Sequence, residues 1–263
     1  MKISIKKLKM LVYINIFLIR IFILLSTIIL FSSTGLKAKT IIATYKISWN
    51  KIILGNILWE FNIQPTNYEF LIELENSSIA SKLYPFYGKH SSSGQIIKGK
   101  FTPKKYENIW KTRKKEKLIE INFTKNKIGG LKIIPKQDIS PFINFYKLRQ
   151  PIDPVSAALD LIINNDKRII KNVFDGRRVY ELSVTKKKLK KTKHNIGILN
   201  QKHYELNITN YKNVWKDHNK TDLKKVEIVT GEIRGGLILP LNFKIRNKRL
   251  IFKIDYIGHK IKN

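Results

Sequence analysis

Strict alternation of apolar and polar residues recurs along most of the chain after residue 39. In the stretch "YEFLIELE" at 68–75 apolar side chains share one face, and glutamates occupy much of the other. The stretch "LIEINF" at 118–123 repeats the pattern. Because successive side chains of a β-strand point to opposite faces, both stretches predict strands with one buried and one solvated face. The predicted buried residues are Tyr68, Phe70, Ile72, Leu74, Ile119, Ile121 and Phe123.

The clearest alternation lies in residues 241–256, "LNFKIRNKRLIFKIDY". Two alternating runs flank a turn at Asn247-Lys248, which predicts an antiparallel hairpin. Further turns are predicted at Lys125-Asn126, Gly129-Gly130 and Asp175-Gly176, since glycine and asparagine tolerate the positive φ of tight turns. We therefore predict a mainly β fold, an antiparallel and strongly curved sheet or partly open barrel. It forms a single β-rich domain over residues 39–263, and two half-sheets joined through 135–165 are one way to divide it.

One stretch, "DPVSAALDLI" at 153–162, breaks the alternation. Asp153 is a natural N-cap and Pro154 suits the first helical position, so we predict one short helix at about 154–163. Asp153, Ser156 and Asp160 recur at spacings of three and four, as an active site on a helix would require. A nucleophilic serine also needs a histidine base and an oxyanion hole, and the chain has no Gly-x-Ser-x-Gly elbow. We interpret the three as a cap, a small packing residue and an exposed acid.

The first 38 residues are predicted to be a targeting segment. Lysines precede an apolar run at 10–31, and small residues follow it. That order is typical of a secretory signal peptide, here with cleavage after Ala38. The apolar run is also long enough to span a bilayer, so an inner-membrane anchor at 10–31 is the alternative. We therefore expect a protein that is periplasmic or secreted, or anchored in the inner membrane.

The formal net charge of +32 is extreme. Such a surface attracts anionic lipid headgroups or other phosphate-rich partners, although a solvated surface also tolerates lysine that accumulates by compositional drift. The densest cluster, "KKKLKKTKH" at 186–194, is predicted to be a loop tip between two strands. It is a candidate for docking on an anionic surface, but without interleaved aromatic residues it does not predict specific nucleic-acid binding. The docking candidates are Lys186, Lys187, Lys188, Lys190 and Lys191.

Residues that carry chemistry are sparse. The chain has no cysteine, its five histidines are dispersed, and no glycine-rich nucleotide-binding motif occurs. We therefore expect no catalytic residue, no metal site and no cofactor. Aromatic residues are better candidates: Trp59 lies in a predicted strand, and Phe142 and Tyr146 lie in an irregular segment. On the concave face of a curved sheet they would bind an acyl chain or other apolar ligand, or they would simply fill the core.

The order of several short segments resembles the bacterial exported family called domain of unknown function 3108. These segments are "YKISWNKIILGNILWEF", "SGQIIKGKFTPKKYENIW", "DPVSAALDL", "FDGRRVYEL" and "LPLNFKIRNKRLIFKIDYIG". The resemblance covers most of residues 40–258. It implies an envelope protein of Gram-negative bacteria, rich in antiparallel β-structure, with no established activity. In the segment "DGRR", Arg177 and Arg178 follow a predicted turn, where they would bind a carboxylate or phosphate or brace the turn by pairing with acids.

The sequence favours a non-enzymatic function. The leading hypothesis is an exported envelope protein that binds an apolar or anionic envelope component, such as a lipid. The alternatives are a structural or interaction protein that docks on membrane or protein through its basic surface, and a secreted cationic effector. The candidate ligand-binding residues are Trp59, Phe142, Tyr146, Arg177 and Arg178, and the oligomeric state is not indicated.

Overall fold

Strands dominate the computed structural model of the chain. The structure describes residues 39–49, 52–76, 85–163, 170–194, 197–216, 223–233, 237–247 and 251–262. The predicted signal peptide or anchor therefore lies outside the described residues. The first group of strands is β1 (Lys39–Trp49), β2 (Ile52–Ile63), β3 (Asn67–Asn76), β4 (Phe86–Ile97), β5 (Lys100–Thr112), β6 (Glu116–Thr124) and β7 (Lys127–Ile134).

A crossover with one helix separates these strands from a second group. A short 3-10 helix (Phe145–Lys147) precedes helix α1 (Pro154–Ile163), which begins at the residue that the Asp-Pro pair predicts. The second group is β8 (Ile170–Phe174), β9 (Arg178–His194), β10 (Gly197–Asn213), β11 (Leu223–Ile233), β12 (Leu237–Asn247) and β13 (Ile251–Lys262). In the described part of the chain, no helix has the length and apolar character that crossing a bilayer requires.

The strands form one antiparallel sheet. Its 13 strands follow the order β7-β6-β5-β4-β3-β2-β1-β13-β12-β11-β10-β9-β8. Strands β1 to β7 make one meander and β8 to β13 make another, and the two meanders join where β1 pairs with β13. At that junction Thr40 lies opposite Lys262 and Trp49 lies opposite Phe252.

The alternating segments have the predicted inner and outer faces. On β3, Tyr68 and Phe70 are buried, and Ile72 and Leu74 pack partly buried against the same core. On β6 the side chains of Ile119, Ile121 and Phe123 are buried. The predicted hairpin at 241–256 is formed by β12 and β13, where Ile245 pairs with Phe252. Alternation therefore identified the core face of these strands correctly.

The predicted turns have different outcomes. Lys125 and Asn126 both have positive φ, at 50° and 59°, and connect β6 to β7 as predicted. The turn predicted at Gly129-Gly130 is wrong, because both glycines lie inside β7, where Gly130 pairs with Asn122 of β6 and Gly129 falls at a shift in register. Gly129 sits where an added Cβ would lie 2.5 Å from Oγ1 of Thr124, so close packing explains this glycine better than a turn does.

Helix α1 lies inside the curved sheet. Leu159 joins a cluster with Ile41, Phe61 and other residues of the first meander. Ala157 and Leu161 join a second cluster that belongs to β8 through β11. Since side chains on opposite sides of the helix are buried in different clusters, the helix fills the interior and does not rest on an outer face.

The two ends of the sheet meet through side chains. Ile119 and Ile121 of β6 pack in one cluster with Phe174 of β8, and Val179 of β9 packs against it. A Cβ added to Gly176, between β8 and β9, would lie only 2.3 Å from Cγ2 of Ile119. The sheet order pairs neither β7 nor β8 with a further strand on its outer side. The sheet is therefore strongly curved but not closed by hydrogen bonds, which confirms the predicted fold class.

Candidate functional site

A buried polar network surrounds the first turn of α1. The backbone amides of Val155 and Ser156 donate to Oδ1 of Asp153 at 2.9 and 3.0 Å, so Asp153 caps the helix as predicted. Its Oδ2 accepts from the hydroxyls of Ser156, at 2.5 Å, and Ser92, at 3.0 Å. The Tyr68 hydroxyl lies 2.6 Å from Oγ of Ser156. Because Ser156 gives its proton to Asp153, Tyr68 is the donor in that contact.

This network is closed to solvent and complete in its hydrogen bonds. Tyr68, Ser92, Asp153 and Ser156 are each no more than 2% exposed. Burial raises the pKa of Asp153, against the opposing effect of its hydrogen bonds from Ser156 and Ser92. Burial also raises the pKa of Tyr68. The Ser156 hydroxyl donates to Asp153 and is closed to solvent, so the network holds the helix in the sheet.

Asp160, predicted to be an exposed acid, is fully buried, so that prediction is wrong. Its carboxylate accepts a hydrogen bond from the Phe101 amide at 3.1 Å and forms an ion pair with Lys171 of β8. A buried charge persists only where a counter-charge and hydrogen bonds compensate its lost hydration. Asp160 therefore ties α1 to β5 and β8, while Asp153 ties it to β4.

The segment "DGRR" forms a tight turn between β8 and β9. Oδ1 of Asp175 accepts from the backbone amides of Arg177, at 2.8 Å, and Arg178, at 2.7 Å. Gly176 has a φ of +88°, a left-handed conformation that glycine adopts without strain. The Arg178 guanidinium pairs with Oδ2 of Asp175 at 3.3 Å. Arg178 thus braces the turn, which is one of its two predicted roles.

The turn is anchored to the segment that follows β10. The indole Nε1 of Trp215 donates to the carbonyl of Gly176 at 3.0 Å, and the Val214 amide donates to the carbonyl of Arg177 at 2.9 Å. These bonds fix the backbone on both sides of the Arg177 side chain. The side chain is therefore displayed from an ordered position, as a binding residue must be.

Beside this turn lies a basic cleft of about 200 Å³. Four of its lining side chains are cationic, and none of the described residues that line it is acidic. Amide and indole groups complete the wall. We call this site the arginine cleft. Its lining residues are Lys117, Gln137, Arg177, Arg178, Asn213, Trp215 and Lys216.

Arg177 differs from Arg178 in its partners. In the described part of the chain, its Nη2 atom is buried and has no hydrogen-bond partner. Burial and the neighbouring Arg178 lower the pKa of Arg177, and Asp175 only partly offsets this effect. A buried donor without an acceptor is costly, so an anion that reached this atom would be stabilised by it.

A second cleft of about 250 Å³ lies between β2 and β5. Its lining includes one acid and one base, Glu69 and Lys104, among amide and hydroxyl side chains. Its charges therefore balance, in contrast to the arginine cleft. Lys104 provides a matched control for experiments on Arg177, because it also lines a cleft in the same basic protein.

The predicted aromatic candidates separate into two places. Trp59 stacks on Phe243 with ring centroids 5.5 Å apart and lies 5.0 Å from the Phe70 ring, so it belongs to the core. Phe142 and Tyr146 are 62% and 52% exposed. The Phe142 amide donates to the Val214 carbonyl at 2.8 Å, between the cleft residues Asn213 and Trp215. The structure therefore places Phe142 beside the arginine cleft and Trp59 elsewhere.

The lysine cluster lies within a strand, so its prediction as a loop tip is wrong. Residues 186–194 continue β9 and pair with β10. The backbone register sets Lys186 opposite Glu205, Lys187 opposite Tyr204 and Lys188 opposite His203. Further along, Lys190 lies opposite Gln201 and Lys191 opposite Asn200. The structure describes the side chain of Lys188, which is exposed.

Comparison with known proteins yields fold-level neighbours. No family model matches the chain, and no curated protein matches it. A beta-barrel-like protein of domain of unknown function DUF1849 from Brucella abortus is 12% identical, with a TM-score of 0.48 over 86% of this chain and 98% of that one. A DUF1329 family protein from Desulfovibrio piger is 8% identical, with a TM-score of 0.22 over 87% of this chain and 86% of that one.

Proposed function

We propose that this chain is a non-catalytic envelope protein that binds a phosphate-bearing envelope component in the arginine cleft. One observation carries the proposal: Arg177 lines a cleft with three further cations and no acid among its described lining residues, and its Nη2 atom is buried without a partner. A phosphate offers several acceptor oxygens and a negative charge, which matches that set of donors.

Export is the second part of the proposal. The basic, apolar and small-residue order of the first 38 residues supports a secretory signal. The resemblance to domain of unknown function 3108 supports the same compartment. In the envelope the abundant phosphate esters are lipid headgroups, so we infer that the ligand is an anionic lipid.

The test is a titration of the full chain, in an uncharged detergent and physiological salt, followed by calorimetry. The probes are dihexanoyl phosphatidic acid, dihexanoyl phosphatidylcholine and inorganic phosphate. We expect the phosphatidic acid to bind more tightly than the other two, because only it combines an accessible dianionic headgroup with acyl chains. Binding of inorganic phosphate with equal affinity would point to free phosphate as the ligand and contradict the lipid assignment.

Two matched variants locate the site. We expect Arg177→Ala to weaken phosphatidic acid binding about tenfold or more, since a hydrogen bond to a charged group contributes about 1.5–3 kcal/mol. Lys104→Ala removes one charge from the second cleft and should change the affinity less than twofold. Equal losses in both variants would show that general positive charge, and not the arginine cleft, holds the ligand.

A further inference from the structure

Exposed apolar side chains concentrate at the end of β7 and in the crossover segment that follows it. Of the eleven large hydrophobic side chains that are exposed in the described residues, four lie within residues 134–146. Ile139, Phe142 and Tyr146 are each more than half exposed, at 52%, 62% and 52%. Single exposed apolar residues are ordinary on a protein surface, but a cluster indicates an interaction site. The four residues are Ile134, Ile139, Phe142 and Tyr146.

These side chains are displayed by an anchored backbone. The Phe142 amide is bonded to Val214, and the Asn144 side chain accepts from the Tyr146 amide at 3.2 Å. Phe145 is buried, and its ring lies 5.5 Å from Phe174 and 6.0 Å from Trp215. The buried ring of Phe145 thus holds its exposed neighbours Phe142 and Tyr146 at the surface.

Basic residues accompany the exposed rings. Lys136, Lys147 and Arg149 are exposed, whereas Asp138 is the single acid of residues 135–149. The same segment borders the arginine cleft through Gln137. Exposed apolar and aromatic side chains beside basic residues suit contact with an anionic bilayer. The rings enter the interfacial region, and the basic side chains bind the headgroups. The core of a protein–protein interface, in contrast, is depleted of charged residues.

We propose that residues 134–149 form a membrane-contact surface that docks the protein on bilayers rich in anionic lipid. This inference goes beyond ligand binding in the cleft, because the exposed rings carry it independently of Arg177. If both proposals hold, docking brings the arginine cleft to the level of the headgroups.

The chain has no cysteine, so one introduced thiol gives a single labelling site. We would label Phe142→Cys in the full chain with an environment-sensitive fluorophore. The matched control is Ile257→Cys on β13, an apolar residue that is 53% exposed. Each labelled chain would be mixed with vesicles of phosphatidylglycerol or of phosphatidylcholine. The label reports its own surroundings, so membrane insertion of the N-terminal segment would not imitate contact at residue 142.

We expect the emission at position 142 to shift to shorter wavelength with phosphatidylglycerol vesicles and to stay unchanged with phosphatidylcholine vesicles. Position 257 should stay unchanged with both. No shift at 142, or an equal shift at 257, would overturn the proposal. A third outcome would also overturn the proposal: a shift at 142 that a soluble envelope-protein extract causes and vesicles do not. That result would indicate a protein partner.

Arg177→Ala in the labelled background separates the two proposals. The shift at 142 should persist in this variant, even where phosphatidic acid binding is lost. Loss of the shift would show that the cleft, and not the segment, makes the contact. A second variant, Ile139→Ser with Phe142→Ser, should weaken association of the chain with phosphatidylglycerol vesicles about tenfold; an unchanged association would contradict the membrane-contact surface.

Discussion

The polar network at the start of α1 and the arginine cleft differ in whether their polar groups have hydrogen-bond partners. Around Asp153 each hydroxyl proton has an acceptor and all four side chains are closed to solvent. At the cleft, Arg177 presents a buried donor that has no partner among the described residues. A polar group that is fully satisfied internally stabilises the fold, whereas one left unsatisfied beside an open cleft points to a ligand. The network around Asp153 is therefore structural, and the turn that carries Arg177 is the candidate site.

Asp153→Ala should have the largest effect on stability. The change removes the cap of α1, which costs about 1 kcal/mol, and leaves the Ser92 and Ser156 hydroxyls without their acceptor, which costs about 1–3 kcal/mol. We expect the free energy of unfolding in urea to fall by about 3 kcal/mol. Asp138→Ala, which removes an exposed acid, is the control. Similar losses in both variants would contradict a structural role for the network.

Gly176→Ala should cost about 2 kcal/mol, because alanine is strained at a φ of +88° and its Cβ would collide with Ile119. The control is Gly258→Ala, where an added Cβ meets nothing within 4 Å. Thermal unfolding of the two variants measures the difference. A stable Gly176→Ala protein would show that the two ends of the sheet do not pack as tightly as the structure indicates.

Arg177→Ala should have the smallest effect on the fold. Its Nη2 atom has no hydrogen-bond partner to lose among the described residues. Removing the guanidinium relieves repulsion from Arg178, which outweighs the lost attraction to Asp175, so stability should change by no more than about 0.5 kcal/mol. Phosphatidic acid should raise the melting temperature of the unmodified chain but not that of the variant, since a ligand stabilises only the state that binds it. If Arg177→Ala were strongly destabilised in the absence of ligand, Arg177 would have a structural role like that of Asp153.

The sequence predicted local structure well and long-range partners poorly. Alternation on β3 and the Asp-Pro start of α1 are local signals, and both led to correct elements. The burial of Asp160 depends on Phe101, which lies 59 residues away, so its spacing on the helix suggested an exposed acid instead. The lysine cluster was predicted to be a loop tip because of its charge, whereas strand β9 continues through it.

The arginine cleft shows the same limit. Arg177 and Arg178 were identified from the Asp-Gly turn, but Lys117, Gln137 and Trp215 were not, because they come from other parts of the chain. The sequence placed Trp59 in a strand and Phe142 in an irregular segment, but it gave both residues the same candidate role on a concave face. Their contacts in the folded chain show that Trp59 lies in the core and Phe142 beside the cleft.

The pairing of β1 with β13 has a consequence for how the protein assembles. Thr40 and Lys262 are neighbours across this ladder although roughly 220 residues separate them in the chain. Closing so long a loop is entropically costly, and folds with many distant contacts form slowly. Each meander can form by pairing within its own hairpins. The pairing that joins the two meanders forms only when β13 is available. Until then the incomplete sheet exposes the edge of β1, and a chaperone that shields this edge would prevent aggregation.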